Sequence, residues 1–378
     1  MRYFFSSGEA SGESSAVLLA GAIRAFDPQA QFEGIGAGRM RAAGFTIWRD
    51  HTGWASMGPL AAIPRIPKLL ATMWRTAFHI AATKPDLVVL VDFGVFNLRL
   101  ATTLKRRLRY AGPILDLFPP ATWLDNAKKA REVSSVAVPL TAFAHQYEFY
   151  RSLGCPITYF GHPLVGQYRM RPPRPAPAAD GGVVALLPGS RSGELRRHLP
   201  ALVQAYRSLR SGRPNLRAVV GAADERAEQT IRRTLSRARL ADVEIVRGVA
   251  DAVAQADAAW VASGTAVLET VLSGVPAVAL YIITPILVKH GRTMIKHRFI
   301  TLPNLVLGRE VIPELLQEEA TPERLAAEME RVLRDPSQQY AQFAALQRAL
   351  GPADALERCA RFAVALAQAA DPSGPASP

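Results

Sequence analysis

Residues 88–97, Val-Val-Leu-Val-Asp-Phe-Gly-Val-Phe-Asn, place one carboxylate, that of Asp92, at the end of an apolar run. Four consecutive apolar residues are typical of a strand buried on both faces, as in a parallel sheet. A charge beside such a strand is costly to desolvate unless it lies at the strand's exit, where water or a ligand can reach it. The stretch therefore predicts a central strand of a parallel sheet and makes Asp92 a candidate functional residue.

Outward from this strand, short apolar runs alternate with helical patterns along the chain. In the first half we predict strands at 2–6, 31–37, 87–92, 112–118, 134–140 and 157–161. Residues 169–182 are rich in Pro and Ala without periodicity, which is typical of an extended linker. The alternation restarts at 182–191 and continues with apolar runs at 215–222, 243–248, 258–264 and 275–281, so the sequence predicts an α/β fold with two doubly wound parallel sheets.

The linker divides the chain into two expected domains. We expect an N-terminal Rossmann-like domain, the linker, a C-terminal domain, a C-terminal helix and a disordered polar tail, at 1–165, 166–182, 183–350, 351–370 and 371–378. Ligands of doubly wound folds bind at the carboxyl ends of the strands. Two such domains predict a ligand cleft between their sheets, with Asp92 at its edge.

The chain has an ordinary globular composition but an unusual charge. Lys and Arg number 45 against 32 Asp and Glu, for a formal net charge of +13. This excess fits nucleic acid, an anionic membrane surface or phosphorylated substrates as partners, and it also fits a genome biased towards Arg. No apolar run reaches the roughly 20 residues of a spanning helix, and Cys155 and Cys359 form no metal-ligand pattern. We therefore expect a cytoplasmic protein.

Three loops that follow predicted strands combine Gly and Ser with the start of a helix. They are SSGEASGES (6–14), LLPGSRSGEL (186–195) and WVASGTAVLET (260–270). Small residues permit close backbone approach, and free N–H groups at a helix N-terminus favour an anion such as a diphosphate. Arg191 adds a guanidinium fork for phosphate oxygens. Glu269, one turn after Thr265, could accept hydrogen bonds from both hydroxyls of a ribose or simply complement the helix dipole.

The chain lacks the patterns of several other sites. GIGAGRMRAAG (34–44) has no third Gly at the spacing of a dinucleotide loop, so NAD binding is not expected. No Asp-x-Asp pair and no His or Cys cluster with ligand spacing occurs in the sequence. We expect no metal and no other cofactor.

Together these segments resemble the lipid-A-disaccharide synthase family, inverting glycosyltransferases of GT-B architecture. The similar segments are GEASGES (8–14), GIGAGRM (34–40), PDLVVLVDFGVFNL (85–98), FYRSLGCPITYFGHPL (149–164), LLPGSRSGEL (186–195), ASGTAVLET (262–270) and LPNLVLGREVIPELLQEE (302–319). Their number, order and spacing make the resemblance specific over most of the chain. It implies two Rossmann-like domains that face each other across a cleft.

The resemblance implies transfer of diacylglucosamine from UDP-2,3-diacylglucosamine to 2,3-diacylglucosamine 1-phosphate, with release of UDP. The family's proposed general base corresponds to Asp92, which would take the proton of the acceptor's 6-hydroxyl as that oxygen displaces UDP at C1. The UDP-sugar is expected to contact Gly189, Ser190, Arg191, Ser263, Gly264, Thr265, Glu269 and Tyr281. The acceptor and the cleft are expected to involve Ser7, Gly8, Glu9, Ser11, Gly12, Asn97, His162, Asn304 and Gln317.

Three stretches depart from the family pattern. The second acid of the family's Asp-x-Pro-Asp-Phe-Asn motif is Val95 here, and the family's Tyr-Arg pair is Tyr281-Ile282. The family's Ser-Pro-Ser-Val-Trp-Ala-Trp stretch is FPPATWLD (118–125). These departures leave two alternatives open. One is another GT-B enzyme on UDP-sugars, such as a different acyl-sugar transferase or a UDP-GlcNAc 2-epimerase, and the other is a non-catalytic, membrane-associated sugar-nucleotide binder.

Residues 57–75, MGPLAAIPRIPKLLATMWR, form an apolar and basic stretch with near-helical spacing. The pattern alone favours a helix packed on the sheet, with Pro64 and Pro67 breaking or delaying it. The resemblance reverses this preference, because the family's substrates carry acyl chains, and it implies a membrane patch of Leu60, Ile63, Ile66, Leu69, Leu70 and Trp74. We therefore expect a peripheral protein on the anionic cytoplasmic face of the inner membrane, no nucleic-acid partner and, from the family, a homodimer.

Overall fold

The computed structural model describes residues 1–52, 54, 66–120, 125–283 and 298–369. The chain forms two compact α/β units. The first unit contains Met1–Gly166 together with the chain from Leu350 onward, and the second contains Gln167–Ala349. Each unit surrounds a parallel sheet with apolar side chains of its own.

The first unit contains seven strands. They are β1 (Arg2–Ser7), β2 (Gln31–Gly36), β3 (Thr46–Asp50), β4 (Leu87–Val91), β5 (Ile114–Leu117), β6 (Val138–Thr141) and β7 (Thr158–Tyr159). Their order in the parallel sheet is β3-β2-β1-β4-β5-β6-β7. All five residues of β4 are buried, and β4 pairs with β1 on one side and β5 on the other. The predicted central strand is therefore confirmed.

The helices of the first unit connect these strands. They are α1 (Ala10–Ile23), α2 (Gly38–Ala42), α3 (Ile66–Thr83), α4 (Gly94–Thr102), α5 (Ala127–Ser134) and α6 (Ala144–Ser152). Helix α1 begins inside the predicted loop 6–14, so that Ser11 and Gly12 belong to its first turn. None of the helices among the described residues is both long enough and apolar enough to cross a bilayer.

The second unit repeats the design with six strands. They are β8 (Val183–Leu187), β9 (Arg217–Ala222), β10 (Glu244–Arg247), β11 (Ala258–Ala262), β12 (Ala277–Tyr281) and β13 (Glu314–Leu316), in the sheet order β10-β9-β8-β11-β12-β13. Its helices are α7 (Ser192–Gly212), α8 (Glu225–Arg237), α9 (Gly248–Gln255), α10 (Thr265–Leu272), α11 (Leu302–Leu307), α12 (Pro322–Arg334) and α13 (Ser337–Leu350). Residues 169–182 form neither helix nor strand.

The last helix, α14 (Ala355–Gln368), belongs to the first unit. It packs against α1. Its buried face consists largely of small side chains, among them Cys359, Ala360 and Ala363, which let the two helix backbones approach closely.

Both sheets reverse their strand order beside their first strand, between β1 and β4 and between β8 and β11. Ligands of doubly wound sheets bind outside the carboxyl ends of the strands at this switch point, because the two neighbouring loops diverge to opposite faces there. The loops at 8–12 and 92–97 flank the switch point of the first sheet, and those at 188–193 and 263–265 flank that of the second. These four loops therefore define where each unit can bind a ligand.

Candidate active site

Asp92 lies at the switch point of the first sheet, directly after β4, and its side chain is half-buried. The backbone of Asp92 and of Phe93 is left-handed, with φ of 51° and 49°. Non-glycine residues in this region cost about 1–3 kcal/mol each and persist only where the surroundings fix them. This strained turn directs the chain from β4 into α4 and places the Asp92 carboxylate outside the sheet.

Asn97, on α4, stabilises the left-handed backbone at Asp92 and Phe93 through hydrogen bonds. Its Nδ2 donates to the backbone oxygens of Asp92 at 2.7 Å and Ser6 at 3.0 Å. Its Oδ1 accepts from the Ser6 hydroxyl at 2.6 Å. The side chain is only 2% exposed. Asn97 was predicted to lie at the acceptor or the cleft. In the structure it is buried, and its hydrogen bonds link the end of β1 to the end of β4.

The Gly-rich loop after β1 packs directly on this turn. A Cβ at Gly8 would lie 2.4 Å from the Phe93 ring, and one at Gly12 would lie 2.6 Å from the Ser7 hydroxyl. Ser11 donates from Oγ to Oδ2 of Asp92 at 3.2 Å. The two glycines are therefore required by close packing, and the fold brings this predicted group of residues together with the proposed base. Glu9 sits at the N-cap of α1, half-buried.

A second acid, Asp116, lies beside this site and was missed by the sequence reasoning. On β5 it is the cross-strand partner of Leu90, two residues before Asp92. Asp116 is 8% exposed, and burial, with a further contribution from the negative charge of Asp92, raises its pKa to about 7. The signal was present in GPILDLF (112–118), where an acid again stands near the end of an apolar run.

His162 is buried in the first unit and joins it to the C-terminal segment. Its backbone N–H donates to the Leu350 oxygen at 2.7 Å, and its Nδ1 accepts from the N–H of Leu164 at 3.3 Å. Burial lowers the pKa of His162 to about 4. The ring is consequently neutral near pH 7, and its role in catalysis stays a prediction.

In the second unit, the loop between β8 and α7 is closed by Glu194. Its carboxylate accepts from the backbone N–H groups of Ser190 and Arg191, each at 3.2 Å, and from Nη1 of Arg191 at 2.8 Å. Gly189 has φ of 104°, and a Cβ there would lie 2.5 Å from Oε2 of Glu194. The expectation of free N–H groups is therefore wrong for Ser190 and Arg191, because an acid in the first helical turn reaches back to them. The Arg191 side chain is 48% exposed and accessible to a ligand.

The loop between β11 and α10 is more open. Gly264 and Thr265 are exposed at the helix start, Ser263 is half-buried, and a Cβ at Gly264 would have no described atom within 4 Å. Glu269 lies one turn further along α10, half-buried, and its Oε2 accepts from the Tyr168 hydroxyl at 2.6 Å. No described side chain lies beside Gly264, so this helix N-terminus is suited to bind an anion.

His198, which the sequence did not mark, connects the two edges of this second site. Its Nδ1 lies 2.9 Å from the Pro188 oxygen, and its Nε2 accepts from the N–H of Ile282 at 3.0 Å, so the ring proton must be on Nδ1. The imidazole is fully buried, and burial lowers its pKa. The centre of its ring lies 5.9 Å from that of Tyr281, which was predicted to contact the UDP-sugar.

Asn304 and Gln317 form contacts at the edge of the second sheet. Asn304 is fully buried, with Nδ2 donating to the Ile312 oxygen at 2.9 Å and Oδ1 accepting from the N–H of Val311 at 2.7 Å. Gln317 accepts from the N–H of Ile283 at 3.2 Å. The ligand roles predicted for them stay predictions. Among the described residues, no group of three or more His, Cys, Asp or Glu could hold a metal ion.

The fold indicates the class of protein. Two α/β units, each built on a parallel sheet with this strand order, are found in GT-B enzymes that use nucleotide sugars. The MurG structure from Acinetobacter baumannii aligns with a TM-score of 0.57 at 16% identity, covering 96% of this chain and 99% of its own. A UDP-GlcNAc 2-epimerase from Neisseria meningitidis, bound to UDP-GlcNAc, aligns with a TM-score of 0.63 at 11% identity, covering 97% and 100%. At these identities the likeness concerns the fold alone.

The sequence comparisons are more specific. A family model described as lipid-A-disaccharide synthetase matches residues 3–367. The lipid-A-disaccharide synthase of Myxococcus xanthus is 38% identical over 336 residues, or 86% of each chain. That of Azotobacter vinelandii is 34% identical over 381 residues, covering 98% of this chain and 99% of its own. The chain belongs to the lipid-A-disaccharide synthase family of glycosyltransferases, and this membership favours sugar transfer over the epimerase and non-catalytic alternatives.

Proposed function

We propose that the chain transfers diacylglucosamine from UDP-2,3-diacylglucosamine to 2,3-diacylglucosamine 1-phosphate. The products are the acylated disaccharide 1-phosphate and UDP. The observation that carries the proposal is the half-buried carboxylate of Asp92, fixed in a strained turn at the switch point of the first sheet. A general base needs this combination of a defined position and access to the substrate. Family membership supports the choice of sugars.

In the proposed reaction, Asp92 removes the proton of the acceptor's 6-hydroxyl as that oxygen bonds to C1 of the donor. The bond between C1 and the diphosphate oxygen breaks, its electron pair leaves with UDP, and the configuration at C1 inverts. Arg191 and the N-terminus of α10 are suited to stabilise the negative charge that grows on the diphosphate. Ser11, which donates to Asp92, keeps the carboxylate in one orientation.

Asp92→Asn tests the base directly. Asn has the same shape, can accept the Ser11 hydrogen bond and tolerates left-handed φ better than most residues, so the turn should persist. We expect UDP binding to be unchanged and turnover to fall about 100-fold or more. The assay is mass spectrometry of the products formed from the two acylated substrates, with Asp251→Asn, an exposed acid of α9, as control.

Two results would contradict the proposal at different levels. Undiminished turnover of the Asp92→Asn variant would remove Asp92 from the mechanism. Wild-type protein that forms no disaccharide, or that converts UDP-sugar without an acceptor, would remove the proposed reaction.

The membrane face of the proposed enzyme is the exposed stripe of α3. Ile66, Leu70, Trp74 and Phe78 are each four residues apart and therefore share one side of the helix. Ile66, Trp74 and Phe78 are 43%, 40% and 57% exposed. An exposed apolar stripe of this kind, on a chain with a net charge of +13, suits an anionic leaflet that holds acylated substrates.

The other residues of the predicted patch differ in their placement. Leu69, like Leu70, is half-buried, whereas Leu60 and Ile63 lie outside the described residues. Phe78 was not predicted and extends the stripe by one turn. A homodimer is proposed from the family resemblance, and sedimentation of the purified chain would test it.

A further inference from the structure

Glu269 is held by a tyrosine from the stretch that the sequence marked as a linker. The Tyr168 hydroxyl donates to Oε2 of Glu269 at 2.6 Å across 101 positions of sequence. A separation of this size is typical of an O–H group bonded to an ionised carboxylate. Burial and the nearby Glu269 charge raise the pKa of Tyr168, so the tyrosine keeps its proton and remains the donor.

The backbone that carries Tyr168 is itself anchored to the second unit. Three residues on, the Arg171 guanidinium donates to the backbone oxygens of Gly274 at 3.3 Å and Val253 at 3.3 Å. The Arg171 N–H donates to the Ser273 oxygen at 3.2 Å. A Cβ at Gly274 would lie 2.7 Å from the Arg171 oxygen, so the two segments are in direct contact. Tyr168 therefore approaches α10 from a fixed support.

This arrangement commits one oxygen of Glu269 and leaves the other available. Oε1 has no hydrogen bond with any described residue, and the side chain is half-buried at the open start of α10. A carboxylate that is free to rotate loses entropy when it binds a ligand. One that is already oriented loses less, because the position of its second oxygen is already defined.

We propose that Tyr168 is a positioning residue that orients Glu269 to accept hydrogen bonds from the ribose hydroxyls of the UDP donor. The inference rests on the proposed function, because it presumes that the second unit binds UDP. It goes further in assigning ribose selectivity to a pair of residues, one of which lies outside every helix and strand. Tyr168 is not expected to touch the reacting atoms.

The test compares UDP with 2′-deoxy-UDP by isothermal titration calorimetry. The proteins are wild type, Tyr168→Phe, Glu269→Gln and the double variant. Wild type should bind UDP roughly tenfold more tightly than 2′-deoxy-UDP, because 2′-deoxy-UDP lacks one hydrogen bond to a charged group. Tyr168→Phe keeps the ring and should weaken UDP binding by several fold, and it should weaken binding of 2′-deoxy-UDP, which keeps only the 3′-hydroxyl, by less. In the Glu269→Gln background, Tyr168→Phe should have no further effect.

Tyr206→Phe is the matched control, because the Tyr206 hydroxyl donates to the Leu216 oxygen of the same unit at 3.1 Å. Its affinity for both nucleotides should equal that of wild type. If Tyr168→Phe weakens the binding of both nucleotides equally, or weakens neither, the inference is overturned. The proposal that the second unit binds UDP would be unaffected by that result. A wild-type protein that does not bind UDP would instead overturn the proposed function.

Discussion

Replacing Asp116 with Asn should stabilise the protein at alkaline pH and change its stability little in acid. Asp116 is 8% exposed on β5, and burial, followed by the charge of Asp92, raises its pKa from 3.8 to about 7. Asn has nearly the same volume and carries no charge at any pH. The substitution therefore removes the titration and largely keeps the packing.

The magnitude follows from the two pKa values of Asp116. Because the folded state has the higher pKa, it favours the protonated carboxyl, and this contribution to stability is complete below the ordinary pKa of 3.8. The contribution is lost as the pH rises towards the folded-state pKa of about 7. The difference is about three pH units at about 1.4 kcal/mol each, or about 4 kcal/mol. Between pH 4 and 8 the variant should gain up to this amount on wild type.

Urea unfolding followed by tryptophan fluorescence from pH 5 to pH 8 measures this gain. Of the five Trp residues, four precede residue 167, so the signal reports mainly the unit that contains Asp116. Glu148→Gln, an exposed acid of α6, is the control and should follow wild type at every pH. If the difference in free energy of unfolding between wild type and Asp116→Asn does not change with pH over this range, the fold does not keep the Asp116 carboxyl protonated. That result would refute the reasoning.

Wild-type protein should lose UDP affinity as the pH falls into the acid range, because protonated His198 can no longer accept from the Ile282 N–H, and burial lowers the pKa of this ring below the usual histidine value. His198→Gln, which does not titrate, should show a flatter calorimetric profile, and equal profiles would refute the role of the ring. Replacing Trp74 and Phe78 with Ser should weaken co-sedimentation with anionic phosphatidylglycerol vesicles by roughly tenfold or more. Val95→Ser, at a 63% exposed apolar position outside the stripe, should bind as wild type does, and undiminished binding by the double variant would contradict the membrane face.

The central strands were predictable because burial on both faces demands a continuous apolar run, and such runs are visible in one dimension. The two strands that escaped prediction, β3 (Thr46–Asp50) and β13 (Glu314–Leu316), each lie at one edge of its sheet. An edge strand pairs on one side only and these two are only partly buried, so their residues need no apolar run. The sequence of β3, Thr-Ile-Trp-Arg-Asp, is accordingly mixed.

The candidate site divides in the same way. Asp92 was recognisable because the energetic cost of a charge beside a buried strand is a local property of the chain. The capping role of Glu194 was also within reach, since it acts only three residues from Arg191. The raised pKa of Asp116 was not, because it depends on β4 and β5 lying side by side.

By itself, the sequence determined two parallel α/β sheets, the strand that ends at Asp92 and the small residues of the loops that follow. These follow from periodicity and from the steric needs of neighbouring residues. Only the tertiary structure decided which side chains meet: Asn97 beneath the Asp92 turn, and Tyr168 against Glu269. The physical reason is that a hydrogen bond across 101 positions leaves no periodic trace, and the sheet order that creates it is set by packing of the whole unit.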